Sequence, residues 1–150
     1  MKTAQGIKVI EFNARFGDPE TEVVLPLLES DAYDVFYGIA TGEIVNGTLS
    51  NSKLLWRKEA TICVVLASKG YPGDYAKGAV IEGVELFDGP VFHMGTKNDN
   101  GVLKTNGGRV MMCIATGKDI AEAQAKVYKE IEKIHCDNLF YRKDIAHWAL

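Results

Sequence analysis

The stretch Lys8-Val9-Ile10-Glu11-Phe12-Asn13-Ala14-Arg15-Phe16-Gly17-Asp18-Pro19-Glu20-Thr21-Glu22 decides how the rest of the chain is read. Val9 to Asn13 is rich in β-branched and aromatic residues and predicts a short strand. Side chains alternate across a strand, so Glu11 and Asn13 share one face and Ile10 and Phe12 the other. Arg15 joins the polar face if the backbone stays extended. Gly17 permits a sharp turn, Asp18 suits an N-cap, and Pro19 suits the first helical position. A helix from Glu20 to about Asp31 would then bury Val23, Val24, Leu27 and Leu28.

That polar face carries a carboxylate, an amide oxygen and a guanidinium beside a helix start. Magnesium takes oxygen ligands at about 2.0–2.1 Å, commonly one or two carboxylates with phosphate oxygens. Glu11 and Asn13 have the chemistry to supply two such oxygens, and Arg15 to pair with a phosphate or carboxylate. The helix start would add partial positive charge. The plainer alternative is the wet face of a half-covered sheet, where charged residues gather for solvation alone.

Composition narrows the function classes. The 150-residue chain is 47% hydrophobic and 25% charged, which is ordinary for a globular protein. Its net charge of −3, from 17 basic and 20 acidic residues, leaves no footprint for nucleic acid or an anionic membrane. No apolar run approaches the roughly 20 residues needed to span a bilayer. Cys63, Cys113 and Cys136 are far apart, an odd number without paired spacing, which favours unpaired thiols in a reducing cytoplasm. Cys63 and Cys113 lie in apolar runs and are expected to be buried packing residues, with Cys136 partly exposed.

Downstream, a second helix is expected from about Asp31 through Ile39, with Ala32, Val35, Phe36 and Ile39 on its apolar side and Gly38 and Gly42 weakening its end. A short third helix is expected over Asn46 to Leu49. A boundary near residues 52–53 divides the chain into 1–52 and 53–150. Beyond it, Ala60 to Ala67 reads as a buried strand. Ala79 to Ile81, Val84 to Phe87 and Val91 to Gly95 read as short strands, and Arg109 to Ala115 as a second strong one. Asp99-Asn100-Gly101 and Asn106-Gly107-Gly108 are tight turns. Asp119 to His135 is the clearest helix, with Ile120, Gln124, Val127, Ile131 and Ile134 on one face. The fold class is α+β, ending in a mainly antiparallel β unit with one long helix.

Two further features carry possible chemistry. Thr105 to Val110 could set backbone amides and Arg109 around a phosphate, or be a hairpin turn with Arg109 solvated. His93, His135 and His147 lack paired metal-ligand spacing and read as packing or surface histidines.

Glu11-x-Asn13-x-Arg15 resembles the late metal-binding motif of ATP-grasp ligases. The longer run from Val9 to Thr21 resembles the phosphoribosylamine–glycine ligase family more narrowly. Ala67-Ser68-Lys69-Gly70-Tyr71-Pro72-Gly73, Val91-Phe92-His93-x-Gly95-Thr96 and Thr105-Asn106-Gly107-Gly108-Arg109-Val110 follow in the family's order, and the resemblance covers nearly the whole chain. Ala146 departs from it, standing where relatives usually have glycine.

The resemblance implies that residues 1–52 end an ATP-grasp domain. It also implies an enzyme that uses ATP to join glycine to 5-phosphoribosylamine through glycyl phosphate, in purine biosynthesis. It puts Glu11 and Asn13 on Mg²⁺ or Mn²⁺. Arg15 and Gly17 would face the nucleotide phosphates, with Arg15 neutralising the transferring phosphoryl group or the glycine carboxylate. Asp18 and Arg109 would face substrate. A long amino-terminal part precedes this region in relatives, so the chain is expected to be a carboxy-terminal portion that needs the missing amino-terminal part for activity. The other expectation is a non-catalytic interaction module, or one subunit of a split ATP-grasp ligase.

Overall fold

The computed structural model describes residues 1–12, 14–45, 48–49 and 52–150. In chain order the regular elements are β1 (Lys2–Thr3), β2 (Gly6–Ile7), α1 (Thr21–Val24), α2 (Ala32–Thr41), β3 (Ile44–Val45), β4 (Thr48–Leu49), β5 (Ser52–Lys53), β6 (Ala60–Ser68), β7 (Val91–His93), β8 (Thr96–Asp99), β9 (Val102–Thr105), β10 (Arg109–Gly117), α3 (Ile120–Ile131) and β11 (Leu139–Phe140). Single 3-10 turns occupy Leu25–Leu27, Val84–Leu86 and His147–Ala149.

The organising layer is a sheet of order β11-β6-β10-β7. Its axis is the long antiparallel pair of β6 and β10, in register from Gly117↔Ala60 to Met111↔Leu66. Because paired residues share a face, Ile62, Val64 and Leu66 lie with Met111, Cys113 and Ala115 on one side. There they meet Ala123, Val127 and Ile131 of α3 in the main apolar cluster. Burying each large aliphatic side chain in such a cluster is worth about 1.5–3 kcal/mol. The opposite face, carrying Cys63, Val65, Met112 and Ile114, receives α1, which packs on both β6 and β10.

Several expectations survive contact with this architecture. The strands around residues 60–67 and 109–115 form as read, each extended by a residue or two. Every paired strand among the described residues is antiparallel. Asn100-Gly101 joins β8 to β9 as a two-residue turn with both φ angles positive, at 54° and 88°. The Asp119 carboxylate caps α3 by accepting from the Glu122 amide at 2.8 Å, and Gly42 ends α2 in the left-handed region. No described helix is long and apolar enough to cross a membrane.

Other expectations are corrected. Residues 9–12 form no strand. Nothing described pairs with them, and Val9, Ile10 and Phe12 stand 69, 70 and 91% exposed. Asn13 lies outside the described residues. The helix expected over Glu20 to Asp31 shrinks to the four residues of α1 and a 3-10 turn. Pro26 has no N–H to give an earlier carbonyl, so the α-helical ladder cannot continue through it. Leu28 is already extended and bridges Trp56. Val23, Val24, Leu27 and Leu28 are half-buried rather than buried. Asp18 is not the N-cap: Glu20 holds that position without a side-chain bond, after a cis Asp18–Pro19 peptide.

On α2 only Val35 of the expected apolar side is buried, with Phe36 and Ile39 exposed. Of the helix expected over Asn46 to Leu49, the first two residues lie outside the described set and Thr48–Leu49 is strand. Ala79 to Ile81 contributes only a bridge from Val80 to Lys104, and Val84–Leu86 is a 3-10 turn. Helix α3 stops at Ile131 rather than His135, and its buried stripe runs through Ala123 as well as Val127 and Ile131. Cys113 is buried as expected, while Cys63 is only partly so. Cys136 is partly exposed, as read.

Candidate functional site

Three of the runs singled out above converge at one end of β6 and β10. Ser68, the last residue of β6, donates its amide to the Gly108 carbonyl and its hydroxyl to the Gly107 carbonyl, both at 2.8 Å. The amides of Met94 and Gly95 both donate to the Val110 carbonyl at 3.0 Å, and Asn106 donates to Gly95 at 2.7 Å. The Tyr71 ring lies directly over Gly108.

Glycine is required here by close approach. A Cβ on Gly95 would stand 2.6 Å from the Arg109 carbonyl and 2.7 Å from Gly107 Cα. The ladder between β10 and β6 also shifts register between Arg109 and Met111. These contacts fix the backbone on which Arg109 sits and leave its side chain 40% exposed.

The fourth run joins the others through charge. Arg109 Nη1 and Nη2 donate to Asp18 Oδ1 and Oδ2 at 3.0 and 2.9 Å, a two-pronged contact across 91 residues of sequence. Thus the two residues assigned to substrate are brought together, directly bonded to each other. Arg15, by contrast, turns back to donate to the Phe16 carbonyl at 2.7 Å and lines an open depression with Ala14, Phe16 and Glu20. The Gly17 carbonyl accepts from both the Thr21 amide and hydroxyl, at 3.0 and 2.6 Å. A four-residue α1 supplies little aligned dipole, so the anion-attracting helix start expected there is not formed.

Glu11 lies exposed, and Asn13 falls outside the described residues. Among the described residues no three His, Cys, Asp or Glu side chains gather into a cation cage. Magnesium commonly takes only one or two protein carboxylates, and the exposed Glu11 carboxylate has the chemistry of one of them. His93 Nδ1 lies 3.0 Å from the Thr96 hydroxyl, and neither His135 nor His147 joins the site.

Acidic groups also shape the floor of this region. The Cys63 thiol is pushed up to about 12, first by burial and then by the negative charges of Glu22 and Asp18. Burial, with Cys63 adding to it, pushes Cys113 up to about 12 as well. Both are therefore protonated near neutrality and unsuited to nucleophilic work. Glu22 was not singled out by sequence, yet its Oε2 is buried without a hydrogen-bond partner among the described residues. Ser68 and Tyr71 were visible only as parts of a family-like run. The glycine pair before Arg109 was the one local signal that the backbone there is closely approached.

Residues 61–148 match the family described as phosphoribosylglycinamide synthetase, C domain. The whole chain is 50% identical, over 152 aligned residues, to a phosphoribosylamine–glycine ligase of Halalkalibacterium halodurans, covering 34% of that protein. It is 44% identical to the enzyme of that name from Pseudomonas aeruginosa, with 95% of this chain and 33% of the relative aligned. A crystal structure of phosphoribosylamine–glycine ligase from Thermotoga maritima superposes with a TM-score of 0.80 at 36% identity, over 97% of this chain and 35% of that one. The chain thus spans about a third of the length of these relatives. Taken together, the converging glycine-rich runs and the matches over essentially the full chain make this polypeptide a member of the phosphoribosylglycinamide synthetase C-domain family.

Proposed function

We propose that the chain forms the carboxy-terminal part of an ATP-dependent phosphoribosylamine–glycine ligase. In this reading residues 1–52 close an ATP-grasp domain and 53–150 present the phosphoribosylamine site. The observation that carries the reading is the convergence of the distant runs on Arg109, with Asp18 joined to it. In the proposed reaction the glycine carboxylate attacks the terminal phosphoryl group of ATP, giving glycyl phosphate and ADP. The amine of phosphoribosylamine then attacks the acyl carbon and phosphate leaves.

Phosphoryl transfer depends mainly on positioning and charge neutralisation, and these residues suit that task. Arg109 would fix the substrate phosphate through its fork, on a backbone held by Ser68 and Tyr71. Asp18 would accept from the glycine ammonium. Arg15, released from the Phe16 carbonyl, would neutralise the transferring phosphoryl group, with Gly17 beside it. Glu11 and Asn13 would hold Mg²⁺ or Mn²⁺, which would supply charge neutralisation when bound.

The test is reconstitution. This chain, mixed with the amino-terminal two-thirds of the Halalkalibacterium relative, is expected to restore ATP- and glycine-dependent ligation that neither piece shows alone. Robust turnover by the 150-residue chain alone would overturn the division of labour. Stable association of the two pieces without turnover would favour the second reading, a non-catalytic module of the same fold.

A further inference from the structure

Asp18 and Arg109 are both assigned to substrate, yet here each satisfies the other. A guanidinium fork that is bonded to a carboxylate through both terminal nitrogens cannot present the same two donors to a phosphate. We propose that the Asp18–Arg109 pair is a latch, opened when a phosphate monoester takes the fork of Arg109 and frees the Asp18 carboxylate for the ammonium of the second substrate. The inference rests on the assignment of Arg109 to phosphate and adds an order of events to it.

Three features of the fold make the pair separable without disturbing the rest. The Arg109 backbone is fixed independently, by the bonds from Ser68, Met94 and Gly95 to Gly107, Gly108 and Val110. Asp18 has no capping duty, since the first turn of α1 is closed by Thr21 onto the Gly17 carbonyl. The side chains are 40 and 45% exposed, so water and ligand reach the contact and its net strength is small. A dianionic phosphate can also accept both prongs of the guanidinium, and it carries more charge. By linkage, what phosphate loses in opening the latch it returns as improved access of an amine to Asp18.

Titration of the 150-residue chain with ribose 5-phosphate tests this, read by calorimetry and by the side-chain Nε–H resonance of Arg109. Asp18→Asn is expected to tighten binding about two- to fivefold, the range set by an exposed ion pair. Glu132→Gln, an exposed position at the end of α3 on the other face of the sheet, removes the same charge and is expected to leave affinity unchanged. In the wild type the Arg109 resonance should move on saturation to the position that it occupies in the ligand-bound Asp18→Asn variant. If Asp18→Asn and wild type bind alike while Arg109→Gln abolishes binding, Arg109 is the phosphate site but no latch exists. If Arg109→Gln binds as well as wild type, the phosphate assignment itself falls and the latch with it.

Discussion

Replacing Gly95 by alanine probes the joint that holds Arg109 in place. The added methyl would lie 2.6 Å from the Arg109 carbonyl and 2.7 and 3.0 Å from Gly107 Cα and N, all of them backbone atoms. No flexible side chain stands there to yield, so the strands must move apart. Overpacking of this kind costs about 1–3 kcal/mol. The bond from Asn106 to the Gly95 carbonyl, 2.7 Å long, lies at the point of separation, and its loss adds about 0.5–1.5 kcal/mol. The expected destabilisation is therefore about 1.5–4.5 kcal/mol. At about 2–4 °C per kcal/mol for a chain of this size, the melting temperature should fall by roughly 3–18 °C. Thermal unfolding followed by circular dichroism reads it directly. The amide signals of residues 105–110 should shift more than those of α3 in a proton–nitrogen correlation spectrum. A melting temperature within 1 °C of wild type, with those signals unmoved, would refute the claim that this close approach positions Arg109.

Further outcomes follow from charges and thiols. The Glu130 carboxyl is held below its ordinary value by the bond from Lys133, then by the Asp88 amide, so its native pKa is lower than its unfolded one. Its contribution to stability is thus present above pH 4.5 and is lost as the pH falls through the native value. Urea titrations should show a steeper acid loss in wild type than in Glu130→Gln; identical slopes would contradict the assignment. At high pH the opposite sign applies. Cys63 and Cys113 titrate at about 12 when folded against 9.0 when unfolded, so stability should decline as the pH rises above 9. At pH 8 iodoacetamide should spare both in the native chain and modify all three cysteines in urea, and rapid native labelling of Cys63 would count against the upward push on its thiol. In the reconstituted ligase, Glu11→Gln should raise the magnesium concentration needed for half-maximal rate, and an unchanged magnesium dependence would remove Glu11 from the metal site.

The fold was legible where a segment buries its own pattern. β6 and β10 announce themselves as apolar runs because both faces are covered, by α3 on one side and α1 on the other. The Asn100-Gly101 turn and the Asp119 cap were readable for local reasons, since their bonds reach only a few residues. The reading failed where structure depends on what lies elsewhere. Val9 to Phe12 has strand composition but no described partner to complete a ladder. The helix after Glu20 carries a helical pattern that Pro26 cuts short. Ala146 was noted only as a departure from glycine, and its φ of 65° gives that a physical meaning, because it occupies a conformation in which glycine is at ease. The glycine pair before Arg109 pointed to a crowded backbone, but nothing local to Asp18 or Arg109 signalled a bond across 91 residues.

In the proposed ligase the phosphoribosylamine site is built on Arg109. Steady-state kinetics of Arg109→Gln in the reconstituted ligase, with each substrate varied in turn, test it most directly. The KM for phosphoribosylamine should rise at least tenfold, with the KM values for ATP and glycine changed less than twofold, since loss of a charged hydrogen-bond partner costs about 1.5–3 kcal/mol. An unchanged KM for phosphoribosylamine would contradict it.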